Sequence, residues 1–446
     1  MLEKIRHLYR NRAGNVAVAF ALIATLLVAV AGAAVDFSNF MARKTQVQDA
    51  ADAASVGSVS TGSAGYQYGV GMTSDGPIPS IDNPSTILFN SNKPTAVDLS
   101  YVNVTSTMQR TGTVISDALT VQALFTTTFL QLVGIKTLNI NVASNASATT
   151  PPYVNFYMLL DNTPSMGLGA TTADITALYN ATGCGFACHT TADPSANYYA
   201  VAKTLNVNMR IDVMRQATNN LMTTANTTAN ANKTPSEFLV DIFDFGTDAY
   251  TSPGINNVTG GLLSPQLVAG GSNNALTTAI NGIDLETVPT NNYAYQKAVE
   301  QGQVSNNDED TSFDYMLTQL ATTIGAGGDG SKPATPQKVL FFVTDGMVDM
   351  NSSGSRKMGG INAANCTTLK NQGVTIAILY TTYLPSSIST DSWSQTNAVP
   401  LLPQIAPALQ ACASPGLYYA VSPSDGINEA MSALFSKVLA VVRVTS

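Results

Sequence analysis

With 446 residues, the chain is too long for one ordinary hydrophobic core, and two or more domains are expected. Charged residues make up only 11% and the formal net charge is −8; this speaks against a nucleic-acid partner, while the Asn, Thr, Ser and Ala that replace the charges fit an exported protein. The two histidines, His7 and His189, cannot supply a multi-histidine zinc site and argue against a Ser-His-Asp triad, so no enzyme is expected.

Met1 to Arg12 carries Lys4, Arg6, Arg10 and Arg12 against one acid, Glu3. Ala13 to Val35, 23 residues, holds no charge; as a helix it rises about 34 Å, enough to cross a hydrocarbon core with some tilt. The basic flank comes first, so 1–12 reads as a cytoplasmic tail, 13–35 as a transmembrane signal-anchor, and the bulk as periplasmic or extracellular. The run exceeds a typical signal-peptide core, which favours an uncleaved anchor, although Ala31-Gly32-Ala33 offers a signal peptidase a site. Asp36 to Ser58 has no breaker before Gly57. Its apolar residues Phe37, Phe40, Met41 and Val47, with the alanine pairs at 50–51 and 53–54, predict a juxtamembrane helix over 36–60.

The stretch RNRAGNVAVAFALIATLLVAVAGAAVDFSNFMARKTQVQDAADAA resembles the N-terminal segment of TadG-like proteins of the tight-adherence (Tad) Flp pilus machinery, above all in RNRAGNVAVAFAL and QVQDAADAA. The resemblance covers about the first sixty residues. It implies a membrane-anchored pilus-assembly protein whose partners are other pilus-assembly or surface proteins. Related pilins and pseudopilins are cut by a prepilin peptidase and carry a Glu five residues into the mature helix. The matching position after Gly14 is Ala19, which favours a permanent anchor.

Residues 61–150 read as a small strand-rich α+β module. Gly62 to Pro79 is turn-rich. Ala96–Thr107, Ala118–Phe125 and Leu138–Ala146 read as strands, and Thr126–Val133 as a short helix ahead of Gly134. Ala143 to Pro152, ASNASATTPP, reads as a hinge.

The segment 151–446 opens with YVNFYMLLDNTPSMG, Tyr153 to Gly167. A buried strand ends in Asp161, Thr163 and Ser165, three hard oxygen donors on one tight turn. That set suits an octahedral divalent cation such as Mg²⁺ or Mn²⁺, with Ca²⁺ as a further candidate. Lys338 to Asp349, KVLFFVTDGMVD, is a second buried strand ending at Asp345, and Glu309 to Leu320 places Thr311 at the start of an amphipathic helix. In this order the residues resemble the von Willebrand factor A (VWA) family. The resemblance implies a doubly wound, Rossmann-like α/β fold and a metal-ion-dependent adhesion site (MIDAS) with the motif D-x-S-x-S, then Thr, then Asp. Asp161, Ser165, Thr311 and Asp345 match the motif; Thr163 stands where the family usually has Ser and keeps the hydroxyl.

Further along, Arg210–Ala225 reads as the first covering helix and Glu237–Phe245 as a strand. The long Ser252–Asn306 region reads as loop, helical around Ala275–Ile283. Strands are expected at Val339–Val343, Thr375–Tyr380 and Leu417–Val421, and helices at Gly360–Asn371 and Asp425–Val442. The last of these should pack on the sheet through Ile427, Met431, Leu434, Val438 and Val441. The four cysteines, Cys184, Cys188, Cys366 and Cys412, lie in the exported part and allow three pairings. Cys184–Cys188 and Cys366–Cys412 are favoured. CGFACH, ending in His189, is one residue longer than the usual haem attachment motif. Two functions remain in view, metal-dependent adhesion or assembly and a structural platform whose metal only steadies loops.

Overall fold

The computed structural model describes residues 13–185, 198–231, 238–245, 255–265, 274–285, 311–352, 355–389, 392–422 and 426–445. The chain divides into two compact units, Met1–Thr150 and Pro151–Ser446.

In the first unit, α1 (Ala13–Ser58) is one unbroken 46-residue helix, about 69 Å long at 1.5 Å per residue. Its first half exposes Val18, Phe20, Leu22, Ile23, Leu26 and Leu27, and among the described residues it is the one helix long and apolar enough to cross a membrane. The second half changes character. Val47, Ala50, Ala51 and Ala54 pack into a core with Leu119, Val121, Phe125, Ile140 and Val142; the alanines let the helix lie close to a sheet. That sheet is antiparallel in the order β1 (Gly76–Ile78), β2 (Leu99–Thr111), β3 (Val114–Thr126) and β4 (Thr137–Thr149). Ser55 of α1 meets Ser144 at 2.6 Å, and Ser58 donates to Asp117 at 2.9 Å. Asp117 is buried and accepts from Ser106 as well, so this carboxylate is satisfied by hydroxyls alone.

Two expectations for this unit fail. The turn-rich Gly62–Pro79 stretch contains a helix, α2 (Ala64–Gly71), capped by Ser63. Its glycines are contact points: a Cβ at Gly65 or Gly69 would collide with Met108 or Ile115. The expected hinge at Ala143–Pro152 is instead largely strand, paired from Ala143↔Thr120 to Thr149↔Val114. Small polar residues suit the exposed face of a half-buried strand as well as they suit a linker. A further short helix, α3 (Ser85–Asn92), buries Phe89.

The second unit is built on a six-stranded sheet. Its strands are β5 (Val154–Asp161), β6 (Phe238–Phe245), β7 (Ile255–Asn257), β8 (Gln337–Thr344), β11 (Val374–Thr381) and β12 (Tyr418–Val421). A separate hairpin, β9 (Val348–Ser352) with β10 (Ser355–Gly359), follows β8. The sheet order is β12-β11-β8-β5-β6-β7, parallel except for the antiparallel edge strand β7. Counted along the chain this is 3-2-1-4-5-6, the doubly wound order that the VWA resemblance implied.

All eight residues of β5 are buried because helices cover both faces. Phe156, Met158 and Leu160 face α6 (Arg210–Ala231), α7 (Asn274–Gly282) and α11 (Ile427–Thr445). Tyr157 and Leu159 face α8 (Phe313–Ile324), α9 (Ala363–Asn371) and α10 (Leu402–Cys412). The intervening helices α4 (Thr172–Thr182) and α5 (Tyr198–Thr204) lie between β5 and α6 in the chain. Ile427, Met431, Leu434 and Val438 bury α11 on the sheet, while Val441 is exposed.

Cys366 of α9 and Cys412 at the end of α10 form a disulfide with both side chains fully buried. Cys188 and His189 lie outside the described residues, as do the Cys184–Cys188 pairing and the haem motif built on them. Reduction of Cys366–Cys412, which joins residues 46 apart, is expected to lower the unfolding free energy by about 4 kcal/mol through loop-closure entropy. Urea unfolding of a Cys366→Ser/Cys412→Ser chain beside the oxidised parent measures it.

Candidate metal centre

In the order 3-2-1-4-5-6 the direction of winding reverses between the first and fourth strands, here β5 and β8, and ligands of such sheets bind outside the strand ends at that point. β5 and β8 are paired up to Leu160↔Val343. They therefore release Asp161 and Thr344-Asp345 side by side.

Asp161 is fully buried. Its Oδ1 accepts from the Thr163 N–H at 3.0 Å and the Thr163 hydroxyl at 2.7 Å, and its Oδ2 accepts from the Thr344 hydroxyl at 2.6 Å. Thr163 Oγ1 lies 3.1 Å from Ser165 Oγ. Neighbouring ligands of an octahedral Mg²⁺ stand about 3.0 Å apart for Mg–O bonds of about 2.1 Å, so this hydroxyl pair has the spacing of one octahedral edge.

Asp345 is also fully buried. Its Oδ1 accepts from the Met347 N–H at 3.3 Å, and its Oδ2 accepts from the Tyr383 hydroxyl at 2.8 Å and from Arg210 Nη1 at 3.4 Å. Arg210 opens α6 and is itself 0% exposed. It donates from Nη2 to the Thr382 carbonyl at 2.9 Å and lies 4.7 Å from the centre of the Tyr383 ring; its Nε has no hydrogen-bond partner among the described residues. In the sequence Arg210 reads only as the start of a helix. A signal was present, since a cation at a helix N-terminus opposes the helix dipole and needs a compensating partner elsewhere.

Two carboxylates face one guanidinium here, so the pocket carries a net negative charge once Asp161 ionises. Burial and the neighbouring Asp345 push the Asp161 carboxyl up to about 7, against the hydrogen bonds from Thr344 and Thr163. Burial and Asp345 likewise raise the Tyr380 phenol to about 12 and push the Tyr383 phenol well above its ordinary value, with Arg210 opposing both. A hard divalent cation suits such a place. Among the described residues no three His, Cys, Asp or Glu side chains cluster, so hydroxyls would have to complete the ligand set.

Thr311 stands at the start of the amphipathic helix Phe313–Ile324. It is buried ahead of the helix, which begins at Phe313 with Ser312 as its cap. Its backbone forms a two-bond bridge with Asp349, at 2.8 and 3.1 Å. That bridge ties Thr311 to β9, just beyond Asp345, whereas Asp161, Thr163 and Ser165 are joined by direct side-chain bonds. At the rim, Asn162 donates to the Asp284 carbonyl at 3.0 Å, Lys203 pairs with the Asp284 carboxylate at 3.1 Å, and Arg215 donates to the Ile283 carbonyl at 2.6 Å. The segment after α7 is thereby fastened to the β5 loop and to α5 and α6.

The TadE/G-like Flp pilus-assembly family matches residues 14–60. No curated protein matches the chain. Among solved structures, the pilus adhesin SpaC from Lactobacillus rhamnosus GG aligns over 77% of this chain and 34% of its own, at 10% identity and a TM-score of 0.37. Proximal thread matrix protein 1 from the mussel byssus, with a zinc-occupied MIDAS motif, aligns over 65% of this chain and 49% of its own, at 11% identity and a TM-score of 0.32. The SpRpn10 VWA domain aligns over 64% of this chain and 95% of its own, at 10% identity and a TM-score of 0.29. The chain spans about a third of the length of SpaC and half that of the mussel protein. At these scores the strand order and the paired ends of β5 and β8 carry the fold assignment. The segment that matches the TadE/G-like model lies on a helix of membrane-spanning length, and the second unit is a doubly wound α/β domain.

Proposed function

We propose that this is a non-catalytic, membrane-anchored protein of the Tad pilus system whose VWA-type domain engages a partner through a divalent cation, Mg²⁺ or else Mn²⁺ or Ca²⁺. Asp161, Thr163, Ser165, Thr311 and Asp345 would hold the ion. The observation that carries this reading is the pair of buried, adjacent carboxylates beside two hydroxyls at octahedral spacing. When bound, a hard cation held by neutral hydroxyls and few carboxylates stays electrophilic toward one more anionic ligand, such as a partner's carboxylate. The Lys/Arg-rich residues 1–12 favour a cytoplasmic N-terminus, with the bulk periplasmic or extracellular.

A second reading, a structural platform, is favoured by Arg210: Asp345 already has a cation, so part of the site's charge is neutralised without metal. The two readings part in one experiment. The detergent-solubilised chain is tested for co-purification with pilus components of its own cell, in Mg²⁺ and in EDTA, beside Asp161→Ala. Recovery that is lost in EDTA and in a folded variant supports adhesion through the ion. Equal recovery in all three conditions leaves the platform.

A further inference from the structure

The loop between β3 and β4 is unusual for a surface turn. Its exposed apolar residues are Phe129 at 37%, Leu132 at 77%, Val133 at 62% and Ile135 at 45%. No Asp, Glu, Lys or Arg occurs from Ala118 to Ile135, and Lys136 follows directly. Scattered exposed apolar side chains need no explanation, but a contiguous cluster on one loop marks a contact surface.

The loop's position says what that surface meets. Asp36 of α1 is fully buried beneath it and accepts from the N–H groups of Thr128, Phe129 and Leu130 at 2.9, 2.7 and 2.7 Å. One turn earlier on α1, Phe129 lies so close over Gly32 that a Cβ there would come within 2.6 Å of it. The loop is thus clamped to α1 between residues 32 and 36. Gly32 lies about 29 Å along the helix axis from Ala13 at 1.5 Å per residue, where a hydrocarbon core of about 30 Å would end. Asp36 is the first charge after the apolar run.

We propose that the β3–β4 loop is a second membrane contact, lying in the interface of the bilayer that α1 crosses, with Leu132, Val133 and Ile135 turned into the boundary of head groups and acyl chains. This rests on α1 spanning the membrane and not on the metal. The loop's backbone is prepared for a place poor in water. Besides the three N–H groups on Asp36, those of Leu132, Gly134 and Ile135 bond to Phe129, Gln131 and Leu130 carbonyls, which spares the loop the cost of unsatisfied polar groups near lipid. Lys136 can bury its stem beside these residues and present its ammonium to anionic head groups.

The test uses the full chain in liposomes of phosphatidylcholine and phosphatidylglycerol. Trp393, the chain's one tryptophan, is replaced by Phe, and a reporter is introduced as Leu132→Trp or, at the far end of β3, as Val114→Trp. Lipids brominated near the head group should remove most of the Leu132→Trp fluorescence and leave Val114→Trp unchanged, while aqueous acrylamide should do the reverse. Leu132→Trp fluorescence reached by acrylamide and not by bromolipid overturns the proposal. So does shielding from both, which would mean that the chain itself or a second copy of it covers the loop. Release of the chain by alkaline carbonate would overturn the membrane anchor itself and the loop contact with it, whereas failure of the loop alone leaves the chain resistant to extraction.

Discussion

Mg²⁺ should raise the melting temperature of the solubilised chain, and Asp161→Ala should fold and melt at a temperature that EDTA no longer changes. The wild-type gain follows from mass action: at a hundredfold excess over its dissociation constant, one ligand bound only by the folded state contributes about 2.7 kcal/mol. For a domain this size that corresponds to roughly 4 °C. The variant is expected to survive because Asp161 is not a packing residue. Its loss frees Thr163 and Thr344 of an acceptor but removes one of two adjacent buried carboxylates, and Asp345 keeps Arg210 and Tyr383. Differential scanning calorimetry of both proteins with Mg²⁺, Mn²⁺, Ca²⁺ and EDTA decides it. A folded wild type indifferent to every ion would remove the metal from the proposal and leave the platform.

The second large effect is on pH dependence. Folded Asp161 keeps its proton up to about pH 7, against an ordinary value of 3.8. Between those values the folded chain holds more protons than the unfolded one, so in EDTA this contribution is fully present below about pH 4 and is lost as pH rises through 7. The full difference amounts to about 4 kcal/mol at 1.36 kcal/mol per pKa unit. A bound divalent ion reverses the preference, because it requires the ionised carboxylate; the stabilisation by Mg²⁺ should therefore grow across the same window. Asp161→Asn should flatten the EDTA curve. Melting curves from about pH 5 to pH 8 test this, and an EDTA curve equally steep in wild type and Asp161→Asn would assign the titration to another group.

Much of this site can be read from the primary structure because it depends on strand ends. β5 and β8 are covered on both faces, so they stand out as unbroken apolar runs, and their terminal aspartates are conspicuous against them. The motif from Asp161 to Ser165 is local and folds as one turn. Arg210, the cation facing Asp345, lies 135 residues away in the chain, and nothing periodic connects the two. The backbone partner of Thr311 is hidden for a related reason: it lies on the β9–β10 hairpin, whose residues Val348 to Gly359 show no alternation strong enough to announce a strand pair. In the first unit, glycines at 65 and 69 that serve close packing imitated turn signals, and the polar outer face of β4 imitated a linker.

The unbroken course of α1 has a mechanical consequence. Ser55 and Ser58 peg the helix to the sheet, and Asp36 holds the β3–β4 loop, so no swivel separates the exposed apolar half of α1 from the β2–β4 sheet. Rotation of the span about its own axis must turn the sheet through the same angle. Any partner helix that selects one side of the apolar half of α1 would thereby set the compass heading of the polar outer face of β2, β3 and β4.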